Sequence, residues 1–252
     1  MTQISVIIPT CDRPSEFVCT AIRSVLAQSL TPLEVIVVDN GTHNADPASL
    51  PQGVTLYRLP PRVGPSRARN FGAAMAKGTH LAFLDDDDWW DTNYLREATA
   101  VLQAVRTRCV YGRLDIHRNG NLELYKSLDP DNLQISVLLH RNPGTYGSNL
   151  LIEKTLFWRA GGFNETLRTS EDKALAIELM LFDERISASP MAIAVLRDHQ
   201  GSRLSTNIIG RLRFVRLYRH NLSYMEYLAI GFRILRRDLK RQFKHNLRIQ
   251  TR

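Results

Sequence analysis

The stretch 79–88 reads Thr-His-Leu-Ala-Phe-Leu-Asp-Asp-Asp-Asp, an apolar run that ends in four aspartates. A short apolar run bounded by polar residues is typical of a buried strand. The aspartates Asp85 to Asp88 should therefore lie at the carboxyl end of that strand, where open α/β sheets bind ligands. Two carboxylates about 5 Å apart repel by roughly 3 kcal/mol at an effective dielectric near 20, and a hard divalent cation removes that repulsion. The cluster predicts a metal site, and the alternative is a solvated acidic loop.

The residues around this stretch alternate between strand and helix patterns. We predict strands over 4–9, 33–38, 54–59 and 81–84, helices over 16–30, 66–77 and 94–105, and a hairpin of 109–116 with 122–126. Ser66 is predicted to cap the second helix. A strand, a helix and a strand in about 35 residues imply a right-handed crossover and a parallel strand pair. The sequence therefore predicts an α/β fold with a mostly parallel central sheet flanked by helices, over residues 1–207.

Composition sets limits on the class of protein. The chain has 252 residues, of which 44% are apolar, enough for a full core. It has no apolar stretch of 18 residues and no basic segment followed by an apolar one at its start, so we expect neither a transmembrane helix nor a signal peptide. Its three cysteines, Cys11, Cys19 and Cys109, show no paired spacing, which favours reduced thiols in a cytoplasmic protein.

The C-terminal residues 208–252 form a basic extension. They hold 12 lysines and arginines against Glu226 and Asp238, a net charge of +10, so residues 1–207 carry a net charge of −2. An apolar stripe runs through the extension at Leu228, Phe232, Leu235, Leu239 and Phe243. The pattern predicts a basic amphipathic helix that either lies on an anionic membrane surface or packs on the core. A nucleic-acid partner is disfavoured, because the acidic strand ends would repel phosphates.

Polar residues follow the first two strands as well as the fourth, at Thr10-Cys11-Asp12-Arg13 and at Asp39-Asn40-Gly41-Thr42. The carboxyl ends of parallel strands share one edge of the sheet, and a nucleotide is the natural ligand for such an edge. Asp39 can accept hydrogen bonds from a base or ribose, while a metal on the aspartates holds the phosphates. No GxxxxGK[ST] or GxGxxG motif occurs. Arg67 and Arg69 are candidates to clamp a diphosphate.

Seven motifs, in order and spacing, resemble the family 2 glycosyltransferases of the GT-A fold. They are Ser5-Val6-Ile7-Ile8-Pro9-Thr10, Glu34 to Thr42, Gly64-Pro65-Ser66-Arg67-Ala68-Arg69-Asn70, Phe83 to Trp90, Gly161 to Glu165, Glu171-Asp172 and His199-Gln200-Gly201-Ser202. The resemblance covers about residues 3 to 205.

This resemblance implies an inverting glycosyltransferase that moves a sugar from a nucleotide-sugar, with a UDP-sugar favoured, to a hydroxyl of a glycan or lipid-linked acceptor. The residues that it places on the donor are Pro9, Thr10, Asp12, Arg13, Asp39, Arg67, Arg69, Asn70, Asp85 and Asp86. It implies Mn²⁺ or Mg²⁺ held by Asp87, Asp85 and His199, and catalysis by the Glu171-Asp172 pair with Asp172 as the general base. Trp89 and Trp90 could stack on the sugar or anchor the local packing.

The resemblance leaves the acceptor open. After Glu171-Asp172 the family often has an aromatic residue and later a basic one, whereas this chain has Lys173-Ala174-Leu175. An acceptor on a lipid at the inner face of the cell membrane is expected from the basic extension. The alternatives are a sugar nucleotidyltransferase, for which the sequence lacks a glycine-rich, lysine-bearing loop after the first strand, and a non-catalytic protein that binds nucleotide-sugars.

Overall fold

The computed structural model describes residues 2–43, 45–198 and 207–250, with the side chains of Pro47 and 239–250 left undescribed. Within these residues lie nine strands: β1 (Ile4–Thr10), β2 (Glu34–Asp39), β3 (Val54–Arg58), β4 (His80–Phe83), β5 (Trp89–Trp90), β6 (Cys109–Arg118), β7 (Asn121–Lys126), β8 (Leu150–Glu153) and β9 (Ile186–Arg197). The same residues form eight α-helices: α1 (Ser15–Leu26), α2 (Pro65–Met75), α3 (Tyr94–Ala104), α4 (Ile135–His140), α5 (Lys154–Arg159), α6 (Glu171–Leu181), α7 (Ile208–Leu217) and α8 (Tyr224–Gln250).

The described strands join in one sheet in the order β3-β2-β1-β4-β8-β6-β9-β5, with β7 paired to β6. The four strands β3, β2, β1 and β4 are parallel, as the sequence predicts, whereas β8 runs antiparallel to β4 and β6. In the register of β1, Thr10 is opposite Asp39 of β2, and Ile7 is opposite Phe83 of β4. The carboxyl ends of β1, β2 and β4 therefore lie together, directly before the polar segments identified in the sequence.

Two hydrophobic clusters cover the two faces of this sheet. Along β1 the side chains alternate, so that Ile7 joins one cluster while Val6 and Ile8 join the other. Helices α1 and α3 cover the face of Val6 and Ile8, and α2, α5 and α6 cover the opposite face. Strands buried on both faces explain the continuous apolar runs in the sequence.

The start of α2 differs from the prediction. Pro65 is the first residue of the helix and Gly64 precedes it with φ of +96°, so Ser66 lies inside the first turn and makes no capping hydrogen bond. The predicted cap at Ser66 is therefore wrong. Proline is preorganised for the first helical position, where its missing N–H costs nothing, and glycine tolerates the left-handed conformation before it.

The C-terminal extension shares the core of the main domain. Phe214 and Tyr218 at the end of α7, and Ile230 and Ile234 of α8, are buried and belong to the same hydrophobic cluster as Ile7. The structure thus continues one core across the expected boundary at residue 207. In the part of the chain that the structure describes, no helix is long and apolar enough to cross a membrane.

Candidate active site

The four aspartates after β4 separate into two pairs. Asp86 and Asp88 are buried, whereas the side chains of Asp85 and Asp87 keep 35% and 16% of their surface exposed. Asp86 accepts hydrogen bonds from Thr10 Oγ1 at 2.7 Å and Arg13 Nε at 3.0 Å. Burial raises its pKa to about 6. Asp85 and Asp87 are thus the more solvent-accessible pair, while Asp86 ties the cluster to the end of β1.

Asp88 fixes the cluster from the other side. Its carboxylate accepts hydrogen bonds from Ser148 Oγ at 2.7 Å and from the backbone N–H of Arg197 at 3.1 Å. Burial raises the pKa of Asp88 well above its usual value. Trp90 stacks on Tyr94, with 4.3 Å between the ring centroids. Its indole N–H donates a hydrogen bond to the carbonyl of Ser148. Trp90 is therefore a packing anchor and does not stack on a sugar.

Arg13 supplies positive charge to the cluster. Besides its bond to Asp86, its Nη2 lies 3.0 Å from Asp87 Oδ2. The guanidinium is partly exposed, with 29% of the side-chain surface accessible. Arg13 thus supplies a counter-charge to Asp87, the carboxylate that the family resemblance makes a metal ligand.

The loop after β2 is held by two carboxylates. Asp39 accepts the backbone N–H groups of Gly41 at 2.8 Å and Ala45 at 2.7 Å, one on each oxygen. Asp12 accepts the N–H of His43 and both the hydroxyl and the N–H of Thr42, and these bonds lower its pKa to about 2. A carboxylate oxygen has a second lone pair, so Asp39 retains acceptor capacity for a base or ribose at this edge. Pro9 lies buried in β1 beneath the same edge.

A buried arginine joins the aspartates to the first turn of α6. Arg69 is only 5% exposed, and its guanidinium bonds to Asp85 through Nη2 and to Glu171 through Nη1, the latter at 3.0 Å. It packs over the ring of Phe163 at 5.2 Å. A Cβ at Gly147 would lie 3.2 Å from the guanidinium, so a larger residue there would press on the arginine side chain. The motif at 64–70 marks Arg69 as a candidate site residue. It does not indicate that Arg69 pairs with Glu171, which lies 102 residues further along the chain.

Asp172 lies beside Glu171 in the first turn of α6, after Ser170 in the left-handed conformation with φ of 68°. Its Oδ2 accepts a hydrogen bond from Asn142 Nδ2 at 2.9 Å, and its Oδ1 accepts the backbone N–H of Lys173. Burial, and secondly the negative charge of Glu171, raise the pKa of Asp172 to about 7. A carboxylate with a pKa near neutral is suited to take a proton and to release it.

Asn142 is a site residue that the sequence reasoning missed. Its side-chain oxygen accepts the N–H groups of Gly144 and Thr145, which fixes the loop before the 3₁₀ turn at Gly147–Asn149. Its carbonyl accepts a bond from Lys126 Nζ at 2.6 Å. The Asn-Pro-Gly run at 142–144 is a turn signal, but nothing in it indicates that the amide supports Asp172.

Lys173, where the family often has an aromatic residue, has a packing role in this structure. Its Nζ donates to the carbonyl of Leu138 in α4 at 2.9 Å and lies 4.1 Å from the ring centroid of Phe214 in α7. Burial lowers the pKa of the Lys173 ammonium to about 8. The residue therefore fastens α6 to α4 and α7 directly beside the candidate base.

Arg67 and Arg69 have different surroundings, so a diphosphate clamp formed by both stays a prediction that this arrangement does not support. The Arg67 side chain is 63% exposed and lies 3.9 Å from Glu165. Two residues along a helix turn by about 200°, which puts the arginines on opposite sides of α2. Asn70 bonds both the N–H and the carbonyl of Phe163 and so anchors the turn before α6.

The metal site stays a prediction. His199 lies outside the described residues, and within the described ranges no group of three His, Cys, Asp or Glu side chains is placed to hold an ion. The donors nevertheless suit the ion, because Asp85 and Asp87 offer hard carboxylate oxygens. Mg²⁺ is typically bound by one or two carboxylates, with substrate phosphates and water completing the shell.

The sequence profile of Glycosyl transferase family 2 matches residues 5–161, more than half of the chain. The chain belongs to glycosyl transferase family 2. The chain is similar to an uncharacterized glycosyltransferase of Haemophilus influenzae, 27% identical over 184 residues, which make up 70% of this chain and 62% of that protein. The succinoglycan biosynthesis protein ExoO of Rhizobium meliloti is 28% identical over 208 residues, 75% of this chain and 59% of ExoO. The family 2 chain thus spans about three fifths of the length of these relatives.

Solved structures of S. aureus TarS share the fold of this family 2 chain. TarS 1-349 in complex with UDP-GlcNAc has a TM-score of 0.68 at 19% identity, covering 92% of this chain and 71% of that one. TarS 1-349 in complex with UDP has a TM-score of 0.64 at 20% identity, covering 94% of this chain and 72% of that one. The likeness confirms the GT-A type fold expected from the sequence.

Proposed function

We propose that this chain is an inverting glycosyltransferase that moves a sugar from a nucleotide-sugar to an acceptor hydroxyl. The observation that carries the proposal is the buried Arg69, which bonds the aspartate cluster at Asp85 on one side and Glu171, next to Asp172, on the other. Glycosyl transfer needs a site for the leaving diphosphate and a base for the acceptor, and the link through Arg69 between the candidates for these two roles supports the proposal.

The donor side consists of the loops after β1, β2 and β4. Asp39 is the candidate contact for the base or ribose, and Arg13 is positioned to meet a phosphate. A UDP-sugar is favoured, since the related fold of TarS occurs in complexes with UDP-GlcNAc and with UDP. Asp85 and Asp87 would hold Mn²⁺ or Mg²⁺, and a bound ion would stabilise the negative charge of the departing diphosphate.

On the acceptor side, Asp172 takes the proton of the attacking hydroxyl. A pKa of about 7 leaves close to half of this carboxylate ionised at neutral pH. Asn142 and the N–H of Lys173 orient its two oxygens and stabilise the ionised form. Glu171, paired with Arg69, raises the pKa of Asp172 through its negative charge. The acceptor oxygen then attacks the anomeric carbon from the side opposite the diphosphate, which inverts the anomeric centre.

The acceptor that we propose is a hydroxyl of a glycan or of a lipid-linked glycan. The named role of ExoO in succinoglycan biosynthesis supports a carbohydrate acceptor. Polysaccharide biosynthesis is accordingly the process that we assign to the chain.

Product analysis tests this function. We expect the full chain with Mn²⁺ and a panel of UDP-sugars to release UDP, slowly with water and faster with an oligosaccharide acceptor, and to lose the acceptor-dependent rate in Asp172→Asn. The matched control is Asp131→Asn, because Asp131 is exposed and takes no part in the site. Release of pyrophosphate from UTP and a sugar 1-phosphate would instead assign a nucleotidyltransferase. Tight donor binding without turnover would assign a non-catalytic binding protein.

A further inference from the structure

Helix α8 has two apolar faces, and one of them packs on the core. Ile230 and Ile234 are 2% and 4% exposed and dock the helix on the core. Large apolar side chains on another face remain in solvent: Met225 at 72%, Leu228 at 46%, Phe232 at 68% and Leu235 at 48% exposed. The four exposed residues, here called the α8 stripe, follow the 3–4 spacing of a helix face. At about 100° per residue, the stripe is centred roughly 150° around the helix from the docked face.

The α8 stripe is a continuous surface and not scattered exposure. Single exposed apolar side chains are normal on protein surfaces, but a contiguous patch marks a binding surface. The sequence repeats the same spacing beyond it at Leu239 and Phe243. Because α8 packs on the core through Ile230 and Ile234, the stripe faces away from the core and stays exposed to solvent.

Charge indicates what covers the stripe. Helix α8 contains seven lysines and arginines against two acids. Among them, the exposed Arg236 lies about 60° around the helix from the centre of the stripe, and the exposed Arg233 and Arg237 lie farther round, toward the docked face. Glu226 is bound to Ser223 at the helix start, where it accepts both the N–H and the hydroxyl. An apolar stripe on a helix whose polar face is basic matches the boundary between the acyl chains and the headgroups of an anionic bilayer.

We propose that the α8 stripe docks the protein on an anionic lipid surface, with the stripe in the acyl boundary and the positive charge of the helix attracted by the headgroups. The sequence left two alternatives for this helix, lipid or core. The structure allows both at once, because the two faces are separate.

The placement of α8 also connects this surface with the acceptor side. Arg233 Nη1 lies 3.3 Å from Nδ1 of His140, the last residue of α4. Two residues later comes Asn142, within about 8 Å along the chain, and Asn142 bonds Asp172. The lipid-facing helix is thus anchored next to the loop that supports the proposed base. The connection between α8 and the acceptor side rests on the proposed function. It favours an acceptor that is held at the same membrane.

Vesicle binding tests the proposal without donor or acceptor, so its outcome is independent of the glycosyltransferase assay. We expect the full chain to co-sediment with phosphatidylcholine vesicles containing roughly one third phosphatidylglycerol, and less with pure phosphatidylcholine. Binding should weaken as salt rises from about 50 mM to about 500 mM. The double variant Phe232→Gln/Leu235→Gln should lower the vesicle partition coefficient about tenfold or more at unchanged melting temperature, because both side chains are already in solvent.

Ile230→Gln is the matched control on the docked face, and it should lower the melting temperature. Three results would overturn the proposal: no binding of the full chain to anionic vesicles at low salt, equal binding to neutral vesicles, or binding that the double variant leaves unchanged. A concentration-dependent dimer that Phe232→Gln/Leu235→Gln dissociates would assign the stripe to a second copy of the chain instead.

Discussion

Replacing Asn142 with alanine removes an amide donor from the proposed base. The Asn142 Nδ2 lies 2.9 Å from Asp172 Oδ2. A hydrogen bond to a charged group contributes about 1.5–3 kcal/mol, and one pKa unit corresponds to about 1.4 kcal/mol. The pKa of Asp172, which burial and then Glu171 raise to about 7, should therefore rise further in Asn142→Ala, by about one to two units.

This shift has a defined pH signature. With the base ionised in a smaller fraction of molecules, kcat/KM at pH 7 should fall by about 5-fold to 50-fold, whereas at pH 9 the loss should shrink to about 2-fold or less. The ratio of wild type to variant is the quantity to measure, because Lys173, whose pKa burial lowers to about 8, loses its proton in both proteins. The other charged or titratable groups that act on the carboxylate or on its loop are unchanged in the variant: Glu171, Arg69, Lys126 and Tyr111.

Asn132→Ala is the matched control, since Asn132 donates to Asp129 at 2.7 Å on the exposed surface. It should leave the pH profile unchanged. A rate loss in Asn142→Ala that is the same at every pH would refute the reasoning and make Asn142 a purely structural part of its loop. An unchanged profile would remove either the hydrogen bond or Asp172 from the catalytic step.

Three further outcomes follow from the site. Asp87→Asn should abolish the Mn²⁺-dependent part of nucleoside diphosphate binding in calorimetric titration, because it removes a hard carboxylate ligand, and unchanged affinity would exclude Asp87 as a ligand. Asp172→Asn should spare that binding and lower turnover by about 10²-fold or more, and a joint loss of binding and turnover would make the residue structural. Arg69→Met should cost about 3–5 kcal/mol in the free energy of unfolding, because it leaves its two carboxylate partners without a counter-charge. Arg67→Met, on the exposed side of the same helix, should leave the denaturation midpoint unchanged.

The edge of the sheet that holds the site was predictable because its signals are local. Apolar runs that end in polar residues located β1, β2 and β4, and their parallel order follows from the helices between them. The hairpin between β6 and β7 was equally visible, since Asn119 and Gly120 adopt the positive φ values of 51° and 82° that this turn requires. The antiparallel insertion of β8 next to β4 was not predicted, because it depends on pairing between distant segments.

The contacts that organise the site were not predicted either, because they also join segments that are distant in the sequence. Asn142 supports Asp172 across 30 residues and Arg69 reaches Glu171 across 102, and no local pattern encodes such pairs. The separation of Arg67 from Arg69, in contrast, could have been predicted. Residues two apart on a helix face opposite ways, and the predicted helix already contained both.

The single guanidinium of Arg69 serves two carboxylates, Asp85 at the donor loop and Glu171 at the start of α6. Substitutions at these two positions will therefore not be additive. Once one carboxylate is gone, the arginine is free to reorganise around the other, so the second substitution acts on an altered partner. A double-mutant cycle across Asp85 and Glu171 measures the coupling free energy between the donor loop and the start of α6.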